Sequence, residues 1–175
     1  HYGENKNKDN KLQKKEIFKI DTKLYQSVTT EKDLDNWINI LNEQSIISVD
    51  TETTSLNILE AELVGVSFCY APNKACYIPI SHKNSNNLKK DLVLKKIKPI
   101  LEDQSIKKIA QNMKFDFAIL KQNGINVDPI EDTMLLSYTL DAGINRHNLD
   151  TLSEIHLNHK TISYKELVGT GKKKL

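Results

Sequence analysis

Ile46-Ile47-Ser48-Val49 runs directly into Asp50-Thr51-Glu52, and this junction limits the possible folds more than any other stretch. The β-branched run predicts a buried strand. Successive side chains of a strand point to opposite faces, so Asp50 and Glu52 share one face. At a rise of about 3.3 Å per residue, their Cα atoms lie roughly 6–7 Å apart. Two carboxylates that close, at the end of a buried strand, repel each other in low dielectric. A bound cation removes that repulsion, and Mg2+ and Mn2+ suit carboxylate oxygens. Two acids solvated at a strand end satisfy the same residues. This stretch by itself leaves both readings standing.

The flanking sequence supplies neighbours for that strand. Residues 1–18 are rich in Lys, Asn and Glu and read as a linker or tail. Residues 24–28 are strand-like. Thr30 is the expected N-cap of a helix ending near Asn42, with Glu31 and Asp33 in its first turn and Leu34, Trp37, Ile38, Ile40 and Leu41 near one face. Residues 63–70 and 75–80 read as strands joined by the hairpin turn Ala71-Pro72-Asn73-Lys74. A polar loop over 81–87 leads to an amphipathic helix over 90–101, then a short buried strand over 106–110. Helices are expected over 114–122, stopped by Asn123-Gly124, over 133–140, capped by Asp132, and over 149–157. The residues after Lys160 show no clear periodicity. A hairpin followed by alternating helix and strand predicts an α/β sheet of mixed direction.

Composition narrows the function classes. The 175 residues suit one domain, and a net charge of +2 argues against a strongly basic nucleic-acid footprint. Arg146 is the one arginine, so bidentate base reading by arginine is not the main mode of recognition. Acids that hold metal offset basic residues elsewhere, so nucleic acid stays a candidate partner. Cys69 and Cys76 stand in apolar surroundings and read as free thiols of a reducing compartment. No apolar run approaches the roughly 20 residues of a membrane span, and no secretory signal stands at the start. A soluble, cytoplasmic monomer is expected.

A second acid stands out in Gln111-Asn112-Met113-Lys114-Phe115-Asp116-Phe117. Asp116 has apolar neighbours within a core-like helix, where acids are rare unless paired or bound to metal. Surface exposure, or pairing with Lys114 or Lys121, would also satisfy it. A helix that follows a parallel strand begins at the carboxyl end of the sheet, where α/β sites form. That puts Asp116 at the same rim as Asp50 and Glu52.

Asp50-Thr51-Glu52-Thr53-Thr54-Ser55-Leu56 resembles the first motif of the DnaQ-like, or DEDD, 3′–5′ exonucleases, and Gln111 to Asp116 resembles the second. The similarity is closest to the proofreading domains of bacterial DNA polymerase I. It continues through Asp132-Thr133-Met134-Leu135, Arg146-His147-Asn148-Leu149-Asp150 and His159-Lys160-Thr161-Ile162-Ser163-Tyr164. The resemblance implies a ribonuclease H-like fold over residues 19–175, with a mixed five-stranded sheet flanked by helices. It implies two divalent ions, Mg2+ with Mn2+ as substitute, that hydrolyse the terminal phosphodiester and release nucleoside monophosphates. Asp50 would bridge both ions, Glu52 would hold the nucleophile-side ion, and Asp116 the other, largely through water. The implied substrate is the 3′ end of single-stranded or frayed DNA. Leu56 would wedge against the terminal base and Tyr164 would flank it, a base-tolerant mode of contact. Thr51 and Thr53 are likewise assigned to the substrate, and Gln111, Asn112 and Arg146 to its backbone or sugars. A core leucine at residue 56 and a surface aromatic at residue 164 are the plainer alternatives.

The third family motif, Tyr-x-x-x-Asp, is expected after Leu175, because Val168 stands where Tyr164 would need its acid. On that reading the chain stops short of the motif and cleaves slowly or not at all. The same resemblance puts a polymerase domain after this chain and allows a 5′-nuclease domain before it. The alternatives are an RNase D-like RNA exonuclease and a non-catalytic nucleic-acid-binding module of a polymerase. Gly169-Thr170-Gly171-Lys172 lacks the spacing and context of a phosphate loop, and His156 and His159 lack further metal ligands nearby.

Overall fold

The computed structural model describes residues 20–83, 85–162 and 166. Its centre is β2, Ile46–Thr53, whose side chains alternate between the interior and one open face. Ile47, Val49 and Thr51 point inward. Ser48, Asp50 and Glu52 point to the open face. β3, Leu63–Ala71, and β4, Lys74–Pro79, form the expected hairpin, with Asn73 at φ 63° in the two-residue turn. β5, Lys107–Ala110, lies parallel to β2 on its other side, and β6, Ile130–Asp132, lies parallel to β5. β1, Gln26–Ser27, pairs in parallel with β4. The order is β1-β4-β3-β2-β5-β6.

The sheet therefore has six strands, one more than the resemblance implies. β1, a two-residue edge, falls in the stretch that the sequence marks as strand-like, and β6 is the strand its pattern does not show. Ile-Glu-Asp is too short and too acidic to read as a strand, and only pairing with β5 makes it one.

Helices cover the interior face. α1, Glu31–Asn42, is capped by Thr30, whose Oγ1 accepts from the Asp33 amide at 3.1 Å. It buries Leu34, Trp37 and Leu41. α2, Lys90–Glu102, buries Val93, Ile97, Ile100 and Leu101. α3, Lys114–Gln122, buries Ile119 and Leu120 and ends at Gly124, φ 78°. These meet Val49 and Ile47 of β2, Val66 and Phe68 of β3, and Cys76 and Ile78 of β4 in one core. Full burial of each such side chain contributes about 1.5–3 kcal/mol. α4, Thr133–Leu140, buries no side chain, and α5, Leu149–Leu157, buries Leu152 and Ser153. Both cysteines are free thiols. Among the described residues no helix is long and apolar enough to cross a membrane.

Lys108 is a buried lysine, with no solvent exposure. Its Nζ donates to the carbonyls of Asp103, Ile106 and Asp128 at 2.7, 2.6 and 2.6 Å, tying together the turns below β5 and before β6. Lys108→Met keeps the volume but leaves these carbonyls without their donor. A loss of about 2 kcal/mol is expected, read as a lower urea midpoint with an unchanged m-value.

Candidate active site

The rim at the carboxyl ends of β2 and β5 gathers the acids. Asp50 is paired with Ser67 of β3, and Glu52 with Gly65. Between Glu52 and Thr53 the register slips by one residue, leaving Val64 as a bulge. The Val64 carbonyl accepts from the amides of Ile80 and Ser81 at 2.8 and 3.0 Å, fixing the end of β4 against the same rim. Bulges of this kind bend a strand and re-aim its side chains.

Asp116 arrives from the first turn of α3, where the helix N-terminus favours a carboxylate. It is only 4% exposed, and neither Lys114 nor Lys121 pairs with it. Its partner is Thr51, which the sequence had placed at the substrate. The last β2–β5 pair is Ser48 with Ile109, so the Thr51 amide lies beyond the ladder. That amide and the Thr51 hydroxyl both donate to Asp116 Oδ1, at 2.9 and 2.6 Å. Thr51 is itself buried, so its hydroxyl is engaged with Asp116 inside the protein.

A second carboxylate holds the loop that carries Asp116. Asp132 caps α4 by accepting from Met134 at 2.9 Å and Leu135 at 3.4 Å. It also accepts from the amides of Asn112 and Met113 at 3.0 and 2.8 Å. Asn112 sits at φ 58°, a left-handed turn that Asn tolerates. The Gln111 Nε2 donates to the His147 carbonyl at 2.8 Å, and its Oε1 accepts from Thr133 Oγ1 at 2.5 Å. Gln111 thus ties the start of α3 to the loop that carries exposed Arg146. Asn112 is exposed at the rim of the same loop.

The electrostatics follow from crowding. Burial, then Asp116 and Glu52, push the Asp50 carboxyl up to about 6. Burial also raises the Asp116 carboxyl, against the lowering effect of the Thr51 hydrogen bonds. The ion pairs of Lys96 with Asp35, Lys98 with Glu102 and Lys107 with Glu131 all lie away from these acids. The donor set is therefore hard oxygen with excess negative charge, which fits Mg2+ or Mn2+ in chemistry. Among the described residues, no three His, Cys, Asp or Glu side chains form a ready-made metal cage. Asp116 is turned toward Thr51 instead.

Leu56 follows the acids and is 93% exposed, so it is not a core leucine. Thr53 is half-buried, and its hydroxyl donates to the Ser55 carbonyl at 3.0 Å, shaping the turn that presents Leu56. Tyr164 and the Gly169 to Lys172 stretch lie outside the described residues. His156 and His159 line a largely apolar groove with Ile46, Ser48 and Cys69, near the start of β2. Sequence reasoning missed Tyr77. Its hydroxyl lies over Gly65 beside the acid pair and is hydrogen-bonded to His82. A glycine within an otherwise β-branched strand was the available signal.

The fold is shared with solved structures of other proteins. The EXO domain of Aedes aegypti Nibbler matches with a TM-score of 0.68 at 14% identity, covering 86% of this chain and 76% of that one. Escherichia coli RNase D matches with a TM-score of 0.65 at 18% identity, covering 81% of this chain and 35% of that one. These likenesses carry the fold. A family model described as 3′–5′ exonuclease matches residues 25–175. The DNA polymerase I of Rhizobium leguminosarum is 39% identical over 173 residues, covering 87% of this chain and 17% of that protein. The DNA polymerase I of Borreliella burgdorferi is 38% identical over 156 residues, with the same two coverages, 87% and 17%. The chain belongs to the 3′–5′ exonuclease family represented in bacterial DNA polymerase I. It spans 17% of the length of these curated relatives.

Asp50 titrates near 3.8 when unconstrained and near 6 in the fold. Because the folded value is the higher one, ionised Asp50 destabilises the metal-free fold. That penalty is complete above pH 6 and absent below about 3.8. Asp50→Asn is expected to raise Tm in EDTA near neutral pH. Its advantage should shrink as pH falls through 6 and vanish near 3.8, as followed by calorimetry.

Proposed function

We propose that this chain is a proofreading 3′–5′ exonuclease domain acting on the 3′ end of single-stranded or frayed DNA. The observation that carries the reading is the convergence of three carboxylates at one rim of the sheet: Asp50 and Glu52 on one face of β2, and Asp116 from the first turn of α3, bonded to Thr51 between them. Carboxylates crowded together in this way are stabilised by divalent cations, and the identities of 38–39% are with DNA polymerase I. A fold neighbour at 24% identity is described as Brucella melitensis NrnC with bound Mg2+.

Asp50, Glu52 and Asp116 would hold two divalent ions, Mg2+ with Mn2+ as substitute. When bound, such ions lower the pKa of a water to make hydroxide near neutral pH and stabilise the leaving 3′ oxygen. The chain's residues do the rest. Asp50 and Glu52 project from one strand face with fixed spacing. Thr51 holds one oxygen of Asp116, so that this carboxylate contributes as an anchored, partly shielded donor. Leu56, exposed at the rim, packs against the terminal base, and Tyr164 flanks it. Arg146 and Asn112 meet the sugar–phosphate backbone. Gln111 keeps their two loops together, and Thr53 shapes the turn at Leu56. Stacking and backbone contacts tolerate any base, as removal of misincorporated nucleotides requires. In the parent protein this activity would serve a polymerase domain of the same polypeptide, in the cytoplasm.

RNase D shares the fold, and an RNA substrate is the competing reading. Matched DNA and RNA oligonucleotides, labelled at the 5′ end and incubated with Mg2+, separate the two. Whatever rate the chain reaches, shortening is expected to run stepwise from the 3′ end and faster on DNA, and to fall about 100-fold or to background in Asp50→Ala. Faster loss of RNA would favour the RNase D-like reading. Calorimetric titration with Mn2+ adds an independent arm: binding to the wild-type chain, strongly weakened in Asp50→Ala, is expected. A non-catalytic module would bind DNA equally well with EDTA and with Asp50→Ala.

A further inference from the structure

The row of residues beside the acid pair contains a group with no role in the reading above. Across β2, β3 and β4 the register aligns Asp50 with Ser67 and Tyr77, and Glu52 with Gly65 and Pro79. Directly paired residues share a face, and Tyr77 lies two residues from Pro79, so all six share the open face. The Tyr77 ring leans along β4 over Gly65. A Cβ on Gly65 would sit 1.9 Å from the Tyr77 hydroxyl oxygen and 2.3 Å from Cζ. The hydroxyl therefore occupies the place where a side chain at residue 65 would begin.

That place faces Glu52. Cβ atoms of directly opposed residues in an antiparallel pair lie about 4.5–5.5 Å apart. The Tyr77 hydroxyl thus stands about where the side chain of a cross-strand partner of Glu52 would begin. The phenol is not loose. It is hydrogen-bonded to His82 Nε2, and the two rings meet edge to face with centroids 5.5 Å apart. His82 is clamped in turn: its amide donates to Asn87 Oδ1 at 2.9 Å, and Asn87 Nδ2 donates to its carbonyl at 2.7 Å. A tyrosine hydroxyl carries its proton at neutral pH and has one hydrogen to donate.

We propose that Tyr77 and His82 are positioning residues for the acidic site, with the Tyr77 hydroxyl, seated over Gly65 and backed by His82, fixing the Glu52 carboxylate for its ion. The proton arrangement follows from charge. With His82 Nε2–H donating to the phenol oxygen, the phenol O–H is left to donate to Glu52. The reverse arrangement would turn phenol lone pairs toward two carboxylates. Outer partners of this kind orient a ligand and set its affinity for metal. The inference rests on the metal-binding reading of Asp50 and Glu52.

The test measures Mn2+ binding by titration calorimetry, with thermal unfolding in EDTA alongside. Tyr77→Phe keeps the ring and removes the hydroxyl. Gly65→Ala keeps the hydroxyl and drives it from its place. Both are expected to weaken Mn2+ binding about tenfold, and Tyr77→Phe to leave Tm unchanged. Combining the two should add little, because both remove one contact. His82→Ala should weaken binding in the same direction, with partial rescue by His82→Gln, which restores an N–H donor. Unchanged Mn2+ affinity in Tyr77→Phe, whether or not Tm falls, overturns the proposal while leaving the nuclease reading intact. If the wild-type chain itself binds no Mn2+, the nuclease reading fails and the proposal falls with it.

Discussion

The bond from Thr51 to Asp116 is the constraint on which the rim depends. Residues 51 and 116 are far apart in sequence, on a strand and a helix that share no ladder. One carboxylate oxygen takes both the amide and the hydroxyl of Thr51, and so satisfies a strand amide that β5 is too short to reach. Charge-assisted bonds of this kind contribute about 1.5–3 kcal/mol each when buried. Here they also determine position. Without them the start of α3 would have no polar reason to close over the end of β2, and the third acid would not sit near the other two.

Much of this architecture is legible from local chemistry. The Asp-x-Glu alternation puts both acids on one face because a strand has period two. Pro72 and Asn73 specify the hairpin, and Asn123-Gly124 ends α3, because only certain residues accept those backbone angles. Asp132 reads as a cap for α4, and it is one. What escapes the sequence is the use of one group by two elements. The second role of Asp132, accepting from Asn112 and Met113, depends on β6 lying beside β5. The partner of Asp116 escapes for the same reason. Nearby lysines are the local candidates, but burial on the core side favours a threonine brought by the sheet. Thr51 itself reads as a substrate contact only while its facing is unknown.

Tyr77 shows a different limit. Its strand is evident from Cys76 to Ile80, and Gly65 stands out within β3. The sequence has no way to join the two observations. An aromatic ring leaning along its strand into a vacancy on the neighbour is a product of register, and the register here slips at Val64. The bulge, the glycine and the ring form one local solution for a crowded rim. The bulge gives β3 its bend, and the missing side chain makes room for the phenol.

Gln111 gives the rim a mechanical property. Its amide bridges the His147 carbonyl and the Thr133 hydroxyl, while the His147 ring is hydrogen-bonded to Ser137 at 2.9 Å and lies edge-on to Tyr138. The exposed arginine next to His147 is therefore mounted on the same frame as the first turn of α3. Under the proposed function, a strand held at Arg146 would load the helix that carries Asp116 through the hydrogen bond between Gln111 and the His147 carbonyl. Grip and acids would then behave as one lever, with tension along the strand transmitted to the carboxylates.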